Sequence, residues 1–155
     1  MQINNLKLSL LVFFLFVVQT ITNNFTIFYI DCLEVALIIL LLTGSYSFLA
    51  IVIISLFADL SSHWYLGSHL LGIVLISFFT TKLVSFFNLS SAATRFLLIV
   101  FFYSIALGIN TLVELSIASI RFNLIDYIFQ IMVVIPITMS LFKLVIDKRF
   151  MDIIN

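Results

Sequence analysis

Apolar residues fill this chain in long uninterrupted runs, and its charged residues punctuate those runs instead of marking one polar face. Uncharged stretches of 23, 24, 22, 18 and 16 residues separate Lys7 from Asp31, Glu34 from Asp59, Asp59 from Lys82, Arg95 from Glu114 and Asp126 from Lys143. Roughly 17 to 25 apolar residues cross a hydrocarbon core as a helix, so most of these are span lengths. A backbone in lipid must satisfy its amides within its own helix or in a closed barrel, and the runs lack the alternation of barrel strands. The pattern predicts an all-α integral membrane protein.

Gly and Ser set the breaks between helices and divide the chain into a bundle of about six transmembrane segments. The first covers about residues 6 to 21, and later ones cover about 68 to 86, 92 to 113 and 127 to 145. In the apolar run after Glu34, "TGSYS" intervenes. A turn there gives two helices, over about residues 30 to 43 and 46 to 60. At 1.5 Å per residue, about 15 residues reach roughly 22 Å, short of a ~30 Å core. The second and third helices are therefore expected to be short or re-entrant. The bias of basic residues toward the cytoplasm favours the six-segment division. It places Lys7, Lys82, Arg95, Lys143, Lys148 and Arg149 inside and Arg121 alone outside, whereas five segments put Lys7 outside as well. Both termini are then cytoplasmic, and the polar stretch after Asp59 lies outside.

Composition agrees with this reading. Of 155 residues, 64% are hydrophobic and 9% charged, with a mean hydropathy of +1.33, against about half apolar and a quarter charged in a soluble domain. Seven basic and seven acidic residues balance, which leaves no basic field of the kind nucleic acid requires. The single cysteine, Cys32, allows neither an internal disulfide nor a cysteine metal set and reads as a small core residue. Lys7 ahead of an apolar run is signal-like, but with no A-x-A-like cleavage site it reads as the start of an uncleaved first helix.

The stretch "LFADLSSHWYLGSHLLG", residues 56 to 72, holds most of the candidate chemistry. Asp59 falls near the end of the third helix, where the dipole disfavours an anion. Its expected role is to organise the turn, accepting hydrogen bonds from the following amides and from Ser61 and Ser62. Gly67 supplies a left-handed residue before the fourth helix. Ser68 with Gly72, and Ser104 with Gly108, are small pairs four residues apart that let transmembrane helices approach closely. Pro136 is expected to kink the last helix. His63 and His69 have no metal-ligand spacing and read as interfacial, so no metal or cofactor is expected. Trp64 and Tyr65 suit an aromatic belt.

Glu114, Arg121 and Asp126 surround the last outer turn as surface or interfacial charges. Lys143, Lys148 and Arg149 form a cytoplasmic basic end suited to anionic headgroups of membrane lipids. No nucleophile elbow, H-E-x-x-H, P-loop or pair of carboxylates on one helix is found, so the chain does not read as an enzyme.

One segment resembles a known family. "FADLSSHWYLGSHLLGIVLISFF" is similar to the most recognisable part of the rod shape-determining protein MreD family, in which an aspartate ending the third helix precedes a polar turn, a Leu-Gly pair and the fourth helix. The match falls on Asp59, Leu60, Ser61, Leu66 and Gly67. The short N-terminus, the proline in "VVIPITMSLFKLVIDKRF" and the basic tail are similar too. "IDCLE" and Ser55 depart from it, at places where the family often has proline and glycine.

The resemblance implies a non-enzymatic component of the bacterial inner membrane that organises peptidoglycan synthesis in the cell-elongation complex. Its implied partners are the bitopic protein MreC and, through the complex, MreB, RodA and a transpeptidase. The family fold also looks like the substrate-binding subunits of vitamin transporters. That alternative would use Asp59, His63, His69, Glu114 and Arg121 as the polar side of a pocket.

Overall fold

The computed structural model describes residues 5–26, 29–43, 47–62, 65–86, 91–116 and 124–145. Among them the chain forms α1 (Asn5–Phe25), α2 (Cys32–Thr43), α3 (Phe48–Ser61), α4 (Ser68–Phe86) and α5 (Ala92–Leu115). A last rod follows, built from α6 (Leu124–Phe129), a π-helical turn (Gln130–Val134) and α7 (Ile135–Val145). The described residues are helical with no strand, and the six rods match the expected number.

The helices form a ring around an axle. α1 packs on α3, α3 on α4, α4 on α5, α5 on α7, and α7 back on α1, while α2 packs against all five. Every residue from 32 to 41 is buried, which is what a helix apolar on all sides requires. The axle is short, about 18 Å for its 12 residues. α3 returns beside it, started by Ser47, whose hydroxyl accepts from the Ala50 amide at 3.2 Å. Residues 44 to 46 of the expected turn lie outside the described residues.

Each ring helix buries one stripe. On α1 it is Leu11, Leu15, Gln19 and Asn23, spaced by four so that they share one face. On α5 it is Leu98, Phe102, Tyr103, Ala106 and Asn110. The outward faces are as apolar as the core, with Phe13, Phe14, Phe78, Phe79, Leu97, Leu112 and Met132 exposed. Such a surface is a liability in water and is at home in lipid. Among the described residues three helices are long and apolar enough to cross a membrane, over Leu8–Phe25, Ala93–Val113 and Leu124–Lys143.

Two boundaries differ from the sequence expectation. α1 continues four residues past 21 because its polar end satisfies itself: the Thr20 and Thr22 hydroxyls donate to the carbonyls of Phe16 and Val18 at 2.8 Å, and the Asn24 amide donates to Thr20 O at 2.7 Å. Such back-bonding lets polar residues finish a helix instead of breaking it. The last rod starts at Leu124, so Asp126 lies in its first turn. Pro136 sits just after the π-helical turn, in which the Ile135 amide donates to the Gln130 carbonyl. A proline removes an amide and crowds the preceding turn, and a widened turn is one way to accommodate it.

Candidate functional site

Polar side chains gather where the C-terminal ends of α1 and α3 meet the N-terminal ends of α2 and α4. Asp31 precedes α2 as its cap, and its Oδ1 accepts from the Glu34 amide at 3.3 Å. "DCLE" has the spacing of a capping box, but the Glu34 side chain does not turn back to close it. Its Oε1 instead accepts from Asn110 Nδ2 of α5 at 3.1 Å. The Asp31 amide donates to Gln130 Oε1 at 3.3 Å, and Gln130 Nε2 donates to the Tyr29 carbonyl at 2.8 Å. The π-helical turn thus begins with the residue that ties the last rod to the start of the axle.

Asp59 does the corresponding work for α4 from the end of α3. Its Oδ2 accepts from the Gly67 amide at 2.6 Å, and its Oδ1 accepts from the Ser68 hydroxyl and the His69 amide, each at 3.2 Å. These are the free amides of a helix start, where a carboxylate is favoured by both hydrogen bonds and dipole. Gly67 makes the approach possible. The Ser68 amide bonds to Tyr65 O at 3.0 Å, with Gly67 at φ +95°, as at the third position of a type II turn.

Between the two aspartates lies the His69 imidazole, fully buried. Nδ1 stands 2.7 Å from Asp59 Oδ1 and Nε2 2.9 Å from Asp31 Oδ2. Each of these contacts needs one hydrogen, so both ring nitrogens donate, or one of the carboxyls holds a proton itself. Tyr29 donates its hydroxyl to Asp31 Oδ2 at 3.1 Å and Gln19 Nε2 reaches Asp31 Oδ1 at 3.4 Å. Gln19 Oε1 in turn takes the Leu33 amide at 2.9 Å. Asn23 closes the cluster on the α1 side: it accepts from the Ile30 amide at 2.8 Å and donates to Ile30 O and Ser61 O, both at 3.0 Å.

Charge decides what this arrangement can do. Two aspartates around one imidazolium leave one negative charge, and Glu34 beside them is buried completely. Among the described residues the ion pairs are those of His69. A bare buried carboxylate without a counter-charge is very costly. The group therefore holds an extra proton or a cation. Asp31, Glu34 and His69 each offer one ligand atom, and these atoms lie within 4.8 Å of one another.

The predicted residues distribute unevenly over this geometry. Asp59 organises the turn through the amides of Gly67 and His69 and the Ser68 hydroxyl, not through Ser61 and Ser62: Ser61 donates to the carbonyls of Phe57 and Ala58, and Ser62 donates to Asp59 O. His69, expected at the interface, lies in the core, because both of its nitrogens are held by carboxylates. Gly72 faces α5, where an added Cβ would lie 3.5 Å from Asn110 Oδ1 and 3.8 Å from Ala106. Gly108 does not pack: it is exposed, with nothing within 4 Å of its Cβ position. Ser104 instead bonds the Tyr127 hydroxyl at 2.7 Å. Lys143 is exposed in the last turn of α7, while His63, Trp64, Arg121, Lys148, Arg149 and the Glu114 side chain lie outside the described residues.

Sequence reasoning passed over Asp31, Glu34, Gln19, Asn23, Asn110 and Gln130. The signal was present, because polar side chains inside transmembrane segments face the bundle interior and pair with one another. No known protein family, curated protein or solved structure matches the chain.

Gly67 provides a direct check of the turn. An alanine there meets no atom within 4 Å, so its cost is the left-handed backbone alone, about 1–2 kcal/mol. Gly67→Ala should lower unfolding stability in detergent by that amount, and Gly108→Ala, in an exposed helix position, should leave it unchanged or raise it. Equal behaviour of the two variants would contradict the turn geometry.

Proposed function

We propose that the chain is a multi-pass protein of the bacterial inner membrane, with both termini in the cytoplasm, that acts as a non-enzymatic organiser of the cell-elongation complex in the manner of MreD. The observation that carries this reading is the use made of the segment from 56 to 72. Asp59, Gly67 and Ser68 bind to one another and to His69, fixing the ends of α3 and α4. Function on this reading comes from a rigid bundle and its outer faces.

One outer face suits a neighbouring helix. A groove of about 510 Å³ runs between α1 and α3, lined by Leu8, Val12, Phe13, Ala50, Ile53 and Phe57 among others. In lipid, helices associate by close packing and not by the hydrophobic effect, so a groove with a small residue in its lining is where a single-span partner gains most. We assign it to the membrane helix of an MreC-like protein.

The test is a mild-detergent pulldown of the tagged chain from a rod-shaped bacterium, read by mass spectrometry for proteins and small molecules together. The expected result is an MreC-like protein with RodA and its transpeptidase. Ala50→Trp, which fills the groove, should reduce recovery of the bitopic partner roughly tenfold, since overpacking costs about 1–3 kcal/mol. Recovery of a coupling ATPase or a bound vitamin would replace this reading by the transporter one.

A further inference from the structure

We infer that Asp31, Glu34 and His69 form a binding site for a divalent transition-metal ion of the zinc type, buried at the end of the axle helix. Three independent features of the cluster point to it. The donor set is one imidazole nitrogen and two carboxylate oxygens, all within 4.8 Å, and zinc takes such mixed nitrogen and oxygen ligands. Calcium and magnesium prefer oxygen alone, and magnesium keeps several of its waters. A histidine in a fully buried set favours the transition metals.

The second feature is an orphaned ligand atom. Glu34 Oε2 is buried and has no hydrogen-bond partner, although Oε1 of the same carboxyl is held by Asn110. Asn110 Oδ1, on the amide that holds Glu34, is likewise buried and unpartnered. Buried polar atoms nearly always have partners, so each exception asks for an explanation. The Asp31 carboxyl lies beside Glu34, so this oxygen is satisfied either by a proton shared between the two acids or by a cation held between them, and zinc retention separates the two.

The third feature is the support behind His69. A metal-binding histidine almost always donates its other ring N–H to a carboxylate or carbonyl, which fixes the tautomer and the ring plane. Here Nδ1 is 2.7 Å from Asp59 Oδ1, leaving Nε2 aimed at Asp31. With bonds of about 2.0–2.2 Å at a tetrahedral angle, two ligand atoms stand roughly 3.4 Å apart. Nε2 and Asp31 Oδ2 are 2.9 Å apart. Admitting the ion therefore needs a shift of roughly half an ångström, with loss of the proton now shared between them. Asp31 and His69 are ligands in this account, and Asp59 is a positioning residue.

The full chain, purified in mild detergent and stripped with a chelator, is titrated with zinc chloride against a chromophoric competitor, and retained metal is counted after dialysis. About one zinc per chain is expected, with release of protons on binding and a higher thermal midpoint. Glu34→Gln keeps the shape and the Asn110 bond and should abolish retention. Asp59→Asn should weaken affinity about 10–100-fold without changing the stoichiometry. The inference is overturned if wild-type protein retains no zinc and its midpoint does not move, or if Glu34→Gln retains zinc as well as wild type. Should a variant fail to fold, the wild-type midpoint with and without zinc decides alone.

Discussion

His69→Leu is expected to cost about 3–5 kcal/mol of unfolding free energy, among the largest effects of any single substitution in the chain. The ring is fully buried between Asp31 and Asp59, themselves 0% and 4% exposed. Leucine matches much of its volume, so the effect is not a cavity. What is lost is the one ion-pair partner that the two buried carboxylates have among the described residues, and breaking such a pair strands the remaining charge. His69→Gln, which keeps one amide donor, should fall between leucine and wild type. The measurement is chemical or thermal unfolding in detergent, followed by helical circular dichroism. A cost below about 1 kcal/mol for His69→Leu would mean that the carboxylates do not depend on the ring.

Magnitudes explain why this cluster, and not the wider network, sets that ranking. A hydrogen bond between helices inside a bilayer is worth about 0.6 kcal/mol on average. The three bonds of Asn23 join α1 to the start of α2 and the end of α3, and together they contribute roughly 2 kcal/mol at that rate. The aspartates and His69 carry formal charge in the same low-dielectric space, where loss of one partner costs more than loss of a neutral bond. Network and cluster sit at the same end of the bundle because helix ends are where unpaired amides lie. The N-terminal ends of α2 and α4 supply those amides to Asp31 and Asp59.

The sequence made the helices legible and the arrangement illegible, for one physical reason. Run lengths and the break at "TGSYS" predicted a short pair, and the structure has α2 and α3 ending and starting around it. Nothing in "CLEVALIILLLT" marks it as the axle, because in a membrane chain lipid-facing and core-facing positions are both apolar. The exposed Phe78 and Phe79 on α4 and the buried Phe102 on α5 look alike as sequence. Polar residues carry the missing information. Gln19 and Asn23 lie four apart on α1, Asp31 and Glu34 three apart at α2, and Asp59 and His69 flank the turn between α3 and α4. Read as inward-facing positions, they would have marked the convergence point. Reading Asp31 and Glu34 only as the ends of uncharged runs hid the site. The contrast between Gly72 and Gly108 is the same lesson on a smaller scale: identical spacing from a serine, one against α5 and the other against open space.

The coupling between Asp31 and Asp59 should be large although the two side chains do not bond to each other. Each holds one nitrogen of the same ring, Asp31 at Nε2 and Asp59 at Nδ1. In chelator-treated protein, Asp31→Asn and Asp59→Asn are each expected to destabilise by about 2–4 kcal/mol, by removing one anion from a shared imidazolium. The second substitution should add less than the first, because once one carboxylate is gone the ring can be neutral, donating from a single nitrogen. The double variant should then fall short of the sum by about 1–3 kcal/mol, the range found for residues sharing one network. Simple additivity would mean that His69 meets the two aspartates independently, and that the line from α3 through α4 to α2 is two local caps rather than one clamp. A shortfall would show the opposite, and it would place the rigidity of this end of the bundle in a single buried ring.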